Sequence, residues 1–133
     1  MSGTIRPETE AILNKLRYFQ LTEFLMNPDD FSSRLTFRFN PDSQDIIVEL
    51  LDIVHIILSK DPDDNDGCYP VGEVTLTNLK DGGKEVLESV NYPFKNRQGD
   101  VFSYPAKELF HFYLEGCIRL QVVCGRYRIF QTH

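Results

Sequence analysis

The chain has 133 residues, a formal net charge of −6 and a sequence pI of about 5.0, so its long-range field opposes nucleic acid and anionic membranes. Hydrophobic residues make up 41% and charged residues 26%, which is typical of a folded globular protein and unlike a disordered chain. The longest nearly apolar run, residues 46–58, contains two acids and a histidine, so no membrane span is predicted.

The cysteines predict the redox compartment. Cys68, Cys117 and Cys124 are odd in number and show no C-x-x-C spacing, and no apolar leader follows the N-terminus. Free thiols in a reducing compartment are therefore expected, and with them a soluble, cytoplasmic protein.

The first predicted element is a helix over residues 7–26. Pro7 suits the first helical position, where its missing N–H would have no intrahelical partner, and apolar residues then recur at helical spacing. A strand is predicted over residues 34–39, because Leu35, Phe37 and Phe39 alternate with polar side chains. Residues 40–43 read as a turn.

Residues 45–60 carry two conflicting signals. Apolar side chains fall on one helical face and acids fall on the other, which favours a helix. The many β-branched residues, and the strand that precedes them, favour a second strand in a hairpin. Helix is the interpretation adopted, with strand as the open alternative.

The second half of the chain predicts a hairpin, a helix and two final strands. Residues 61–67 form an acidic loop, residues 71–79 and 84–92 form strands around a turn at 80–83, and residues 96–100 form another turn. A helix is predicted over residues 106–115 and ends at Gly116. Strands over residues 117–124 and 126–131 follow, divided by Gly125 as a turn or bulge.

These elements predict a single α+β domain over residues 1–133. An antiparallel β-sheet would carry the N-terminal helix and one or two further helices on one face. The sequence contains no internal repeat, low-complexity tract or linker that would divide it.

Two groups of residues are weak candidates for metal binding. Asp64, Asp66 and Glu73 match three positions of a calcium-binding loop, but Pro62 occupies its first ligand position and a strand follows where a helix is required. A solvated acidic loop is therefore the favoured interpretation. The second group consists of two acid–histidine spacings, Asp52-x-x-His55 and Glu108-x-x-His111.

On helices, these two spacings would place each acid one turn from an imidazole, as in a small metal- or ligand-binding protein or an enzyme. A half-exposed histidine beside a surface acid explains the same pattern. No catalytic residue and no cofactor is predicted, and the sequence leans against an enzyme without deciding the question.

The C-terminal segment supports a nucleic-acid hypothesis. Residues 117–133 contain Arg119, Arg126 and Arg128 and no acid, and the aromatic Tyr127 and Phe130 are interleaved with them. Arginines beside exposed aromatic rings can contact phosphates and stack on bases. An amphipathic strand whose arginines pair with acids of the same surface is the alternative, and the net charge favours it.

The leading hypothesis is a non-catalytic interaction or accessory domain that binds a protein partner or a second copy of itself. It depends on surplus aromatic residues that could form an exposed patch. The predicted contact residues are Tyr92, Phe94, Phe102, Tyr104, Arg119, Arg126, Arg128 and Phe130.

Overall fold

A computed structural model describes residues 5–60, 71–79, 108–116 and 118–132. These residues form one helix and six strands: α1 (Pro7–Leu16), β1 (Gln20–Asn27), β2 (Ser32–Arg38), β3 (Ile46–Lys60), β4 (Glu73–Leu79), β5 (Leu109–Glu115) and β6 (Ile118–Gln131). The helix begins at Pro7, as the sequence predicts, and carries acids in its first turn, where they favour the positive end of the helix dipole. No helix in this part of the chain is long and apolar enough to cross a membrane.

The six strands form one antiparallel sheet in the order β1-β2-β3-β6-β5-β4. Its centre is the pair β3 and β6, with 15 and 14 residues, which hydrogen-bond to each other along nearly their whole length. These two long strands therefore form the centre of the sheet. The antiparallel pair of β1 and β2 extends the sheet beside β3, and the pair of β4 and β5 extends it beside β6.

The predicted α+β class is wrong, because the described chain is mostly antiparallel β-sheet. Where a helix was predicted over residues 45–60 the chain forms β3 (Ile46–Lys60), and the described part of the helix predicted over residues 106–115 contains β5 (Leu109–Glu115) instead. In β3, Ile46 and Val48 are buried on one face and Ile47 is buried on the other. A strand buried on both faces reads as a continuous apolar run, which periodicity alone does not separate from a helix.

The N-terminal helix is shorter than predicted and ends at Leu16, so residues 20–27 form β1. The misleading signal is a register shift between Leu21 and Glu23, which places the inward side chains at Leu21, Phe24 and Met26. A bulge thus produces a spacing of three within a strand, and that spacing resembles one turn of helix.

The remaining sequence predictions have mixed outcomes. Strands are confirmed at β2 and β4, close to the predicted bounds. The last two predicted strands are one continuous strand, β6, because Gly125 lies within it and does not turn the chain. The predicted loop at 61–67, the turns at 80–83 and 96–100, and the strand at 84–92 lie outside the described residues.

The core lies between the curled sheet and α1. Leu13 and Leu16 of the helix are buried against it. The backbone N–H of Val71, just before β4, donates to the carbonyl of Phe19, just before β1, at 2.8 Å. The two edge strands therefore approach each other at one corner, beside the end of α1. The fully buried side chains include Leu35, Phe37, Ile46, Val48, Leu50, Phe112, Leu114, Leu120, Val122 and Cys124.

Candidate functional site

The three C-terminal arginines lie on exposed positions of β6, and each is paired with an acid of a neighbouring strand. Arg119 lies 3.7 Å from Glu115 of β5, and Arg128 lies 3.3 Å from Glu49 of β3. The basic stretch of the sequence is thus opposed by acids of adjacent strands, which weakens its attraction for phosphates.

Arg126 forms the third of these ion pairs, with both carboxylate oxygens of Asp52 in β3. Phe130 is half-buried, and the Arg128 guanidinium lies 5.3 Å from its ring centroid. The predicted stacking ring is therefore already in contact with one of the predicted phosphate-binding arginines.

The two histidines lie on the same face of the sheet, but a strand separates them. His55 and His111 are both directly opposite Val123 of β6, one on each side. Their backbones are therefore two strand spacings of roughly 4.8 Å apart, with Val123 between them. Asp52, the predicted partner of His55, forms an ion pair with Arg126.

Of the other metal candidates, the two that the structure describes, Glu73 and Glu108, lie at opposite ends of the β4–β5 pair. Glu108 precedes β5, and Glu73 begins β4 opposite Glu115. Asp64 and Asp66 lie outside the described residues. In the described residues there is no group of three or more side chains placed to hold a metal ion.

His111 has a defined environment. Its Nε2 is 3.3 Å from Oε1 of Gln121, and its ring stacks on Tyr113 with the centroids 6.4 Å apart. Burial lowers the pKa of His111 from its ordinary value of 6.5, and the hydrogen bond to Gln121 opposes that shift in part. The imidazole is thus mainly neutral near pH 7.

Of the predicted interaction residues, Tyr92, Phe94, Phe102 and Tyr104 lie outside the described residues. That aromatic patch stays a prediction. The structure instead presents a different aromatic surface, at the corner where α1 ends.

This surface is a cavity of about 620 Å³, which we call the corner pocket. The end of α1 and the following turn form one wall, the segment between β2 and β3 forms a second, and the end of β6 closes the third side. Its lining residues are Lys15, Tyr18, Phe19, Phe39, Ser43, Gln44 and Gln131.

Aromatic rings dominate the corner pocket. The rings of Phe19 and Phe39 are tilted by 44° with their centroids 5.4 Å apart, a favourable arrangement for an aromatic pair. Tyr18 is 59% exposed and Phe39 is 47% exposed. Large apolar side chains exposed around one depression are typical of a contact surface.

The backbone holds these rings in place. The N–H groups of Tyr18 and Phe19 donate to the carbonyls of Lys15 and Leu16 at 3.0 and 2.9 Å, which tightens the turn after α1. On the opposite wall, Ser43 accepts from the Asn40 N–H through its hydroxyl, at 3.1 Å. Both walls are therefore preformed.

Among the described residues of the lining there is one cation and no anion. Lys15 is its charged residue, and the guanidinium of neighbouring Arg17 lies 5.3 Å from the Tyr18 ring centroid. Just outside, Arg38 donates to Asp45 at 2.8 Å. That pairing lowers the pKa of the Asp45 carboxyl and raises the pKa of Arg38.

Sequence reasoning missed the corner pocket for a specific reason. It assigned Tyr18 and Phe19 to a long helix, and it placed Phe39 on the same face as Leu35 and Phe37. Because β2 ends at Arg38, Phe39 leaves the strand and is half exposed, whereas Leu35 and Phe37 are fully buried. The alternation itself carries no signal for the residue at which the strand ends.

Comparison with known proteins adds no assignment: the sequence matches no protein-family model, and no curated protein matches it at a significant level.

Proposed function

We propose that the chain is a non-catalytic protein-interaction domain that binds a partner protein through the corner pocket. The observation that carries this proposal is the half-exposed pair Tyr18 and Phe39, which stand on either side of a cavity of about 620 Å³. Binding energy at protein interfaces is concentrated in a few aromatic contacts that become fully desolvated. The pocket is large enough to receive one apolar side chain of a partner.

The preformed walls support the same function. The carbonyl of Phe19 accepts a hydrogen bond from the N–H of Val71, which fixes Phe19. In the segment after Phe39, the Asn40 N–H donates to the Ser43 hydroxyl, and that hydroxyl donates to the Asn40 carbonyl. A pocket that is already ordered loses little conformational entropy when a partner binds.

A free buried thiol at Cys124 suits a reducing compartment, and we therefore propose a cytoplasmic location for the domain.

Peptide display tests this proposal. Short random peptides would be selected on the folded protein and counter-selected on the double variant Tyr18→Ala/Phe39→Ala. Both side chains are substantially exposed, so the variant is expected to fold, which circular dichroism and the melting temperature would check. We expect selected peptides that carry an apolar or aromatic residue and whose binding to the variant is at least about tenfold weaker.

Leu58→Ala is the matched control. Leu58 is 50% exposed and lies near the far end of β3 from the corner pocket, so truncating it removes exposed apolar surface elsewhere. Its peptide affinity should equal that of the wild type. If no peptide distinguishes the wild type from the double variant, the proposal is wrong.

Light scattering at high protein concentration tests whether the pocket binds a different protein or a second copy of this chain. We expect a monomer. A dimer that Tyr18→Ala/Phe39→Ala dissociates would overturn binding of a different partner, because the pocket would then be occupied by the chain itself.

A further inference from the structure

The electrostatics of the corner pocket differ from those of the chain as a whole. The sequence has 20 acids and 14 lysines and arginines, yet the described lining holds Lys15 and no acid. Arg17 adds a second cation beside Tyr18, with its guanidinium 5.3 Å from the ring centroid, and lines a neighbouring depression that also contains Glu73. On the opposite wall, Asp45 follows the lining residue Gln44 and forms an ion pair with Arg38.

Asp42 is the other acid of the segment between β2 and β3. Its backbone N–H donates to the side chain of Asn40 at 2.9 Å, within the turn that precedes Ser43, and it does not line the pocket. Two cations therefore stand close to the exposed rings, without an ion-pair partner among the described residues.

We infer, on the basis of the proposed function, that the pocket receives an acidic peptide segment of its partner. An apolar or aromatic side chain of that segment would lie between Tyr18 and Phe39. An aspartate or glutamate next to it would pair with Lys15 or Arg17. Complementary charge at the edge of an apolar contact adds specificity and speeds association more than it adds affinity.

A nucleic acid is the competing occupant, because its phosphates could contact Lys15 and its bases could stack on Tyr18. The overall charge of −6 argues against it. A peptide of a few residues meets only the local field of the pocket, within about one Debye length, whereas a nucleic-acid strand extends over the acidic surface beyond.

The test compares the peptides selected above on three proteins: wild type, Lys15→Glu and the control Lys60→Glu. Lys60 ends β3, far along the sheet, and its substitution changes the net charge by the same amount. Fluorescence polarisation with one labelled selected peptide would then be measured at low and high salt, with an unlabelled single-stranded oligonucleotide as competitor.

We expect an excess of acidic residues beside the apolar anchor, about a fivefold loss of affinity in Lys15→Glu, and no loss in Lys60→Glu. Affinity for the wild type should fall as salt rises, and this dependence should weaken in Lys15→Glu. The oligonucleotide should not compete.

Failure of this inference is distinguishable from failure of the proposed function. Apolar peptides that require Tyr18 and Phe39 but show neither acidic enrichment nor sensitivity to Lys15→Glu would overturn the acidic partner and leave the interaction domain intact. Displacement by the oligonucleotide would also overturn it. Selection that yields no peptide dependent on the two rings would refute both.

Discussion

Asp52 and Gly125 lie opposite each other in the two longest strands, and the Asp52 Cβ is only 3.2 Å from the position that a Cβ on Gly125 would occupy. Asp52 has a φ of +54°, in the left-handed region that aspartate tolerates better than most residues. The register of β3 on β6 shifts just beyond it, between Ile53 and His55. Glycine in β6 thus makes room for the bulge in β3.

This packing predicts an energetic coupling between the two positions. Gly125→Ala should lower the free energy of unfolding by about 1 kcal/mol, because its Cβ would be crowded by that of Asp52. In the background of Asp52→Gly, which removes that Cβ and suits the positive φ, the same substitution should be neutral or stabilising. Urea unfolding of the two single variants and the double variant measures the coupling. An identical effect of Gly125→Ala in both backgrounds would contradict it.

The bulges in β1 and β3 explain part of the wrong prediction of the fold class. On the core side of β3, the inward side chains are Leu50, Ile53 and Ile56, three residues apart across the irregularity. Strands β2 and β4 lack such a shift, and the predicted strands at these positions were confirmed because apolar side chains alternate with polar ones over most of their length. Periodicity therefore identified β2 and β4 and failed in β1 and β3, where a bulge changed the period from two to three. Strand β5 has no register shift and was predicted as a helix because its apolar side chains run almost without interruption.

The candidate site was less predictable than the strands, because it depends on contacts between distant segments. Lys15, Phe39 and Gln131 meet only because β2, β3 and β6 are neighbours and α1 packs at their end. The ion pairing of the arginines was open to sequence reasoning as an alternative. The acids that Arg126 and Arg128 contact are set by the register between β3 and β6, and the sequence patterns did not predict that register.

Gly116→Ala should be strongly destabilising. A Cβ at Gly116 would overlap the backbone carbonyl of Val71, and a Cβ at Gly72, where φ is +104°, would overlap the carbonyl of Glu115. Backbone atoms cannot move aside as a flexible side chain does, so we expect a loss of about 3 kcal/mol in the free energy of unfolding. Gly125→Ala is the matched control, and a similar loss in both variants would rule out this steric account.

Cys124 should resist alkylation in the folded protein. Its thiol is fully buried in the core, and burial raises its pKa to about 12, so near pH 8 only about one molecule in ten thousand carries the reactive thiolate. Iodoacetamide labelling, followed by mass spectrometry of the peptide that contains Cys124, should show modification in urea and almost none without it. Equal labelling rates in the two conditions would show that the thiol is accessible.

His111 should make the protein sensitive to mild acid. Burial lowers the pKa of His111 in the folded state below the value of 6.5 expected when it is unfolded, so the unfolded chain binds more protons between those two values. The stabilisation from the neutral imidazole is therefore complete above pH 6.5 and is lost as the pH falls through the folded pKa. Urea midpoints measured from about pH 7.5 to about pH 5.5 should decline more steeply for the wild type than for His111→Gln.

Gln121→Leu provides the opposite perturbation. The hydrogen bond that His111 Nε2–H donates to Oε1 of Gln121 favours the protonated imidazole, so its removal should lower the pKa of His111 further and increase the acid sensitivity. NMR titration of the His111 ring would follow the pKa directly in each protein. Glutamine does not titrate, so His111→Gln removes the proton uptake of this residue. If the urea midpoints of the wild type and His111→Gln nevertheless decline in parallel as the pH falls, His111 does not control the acid response.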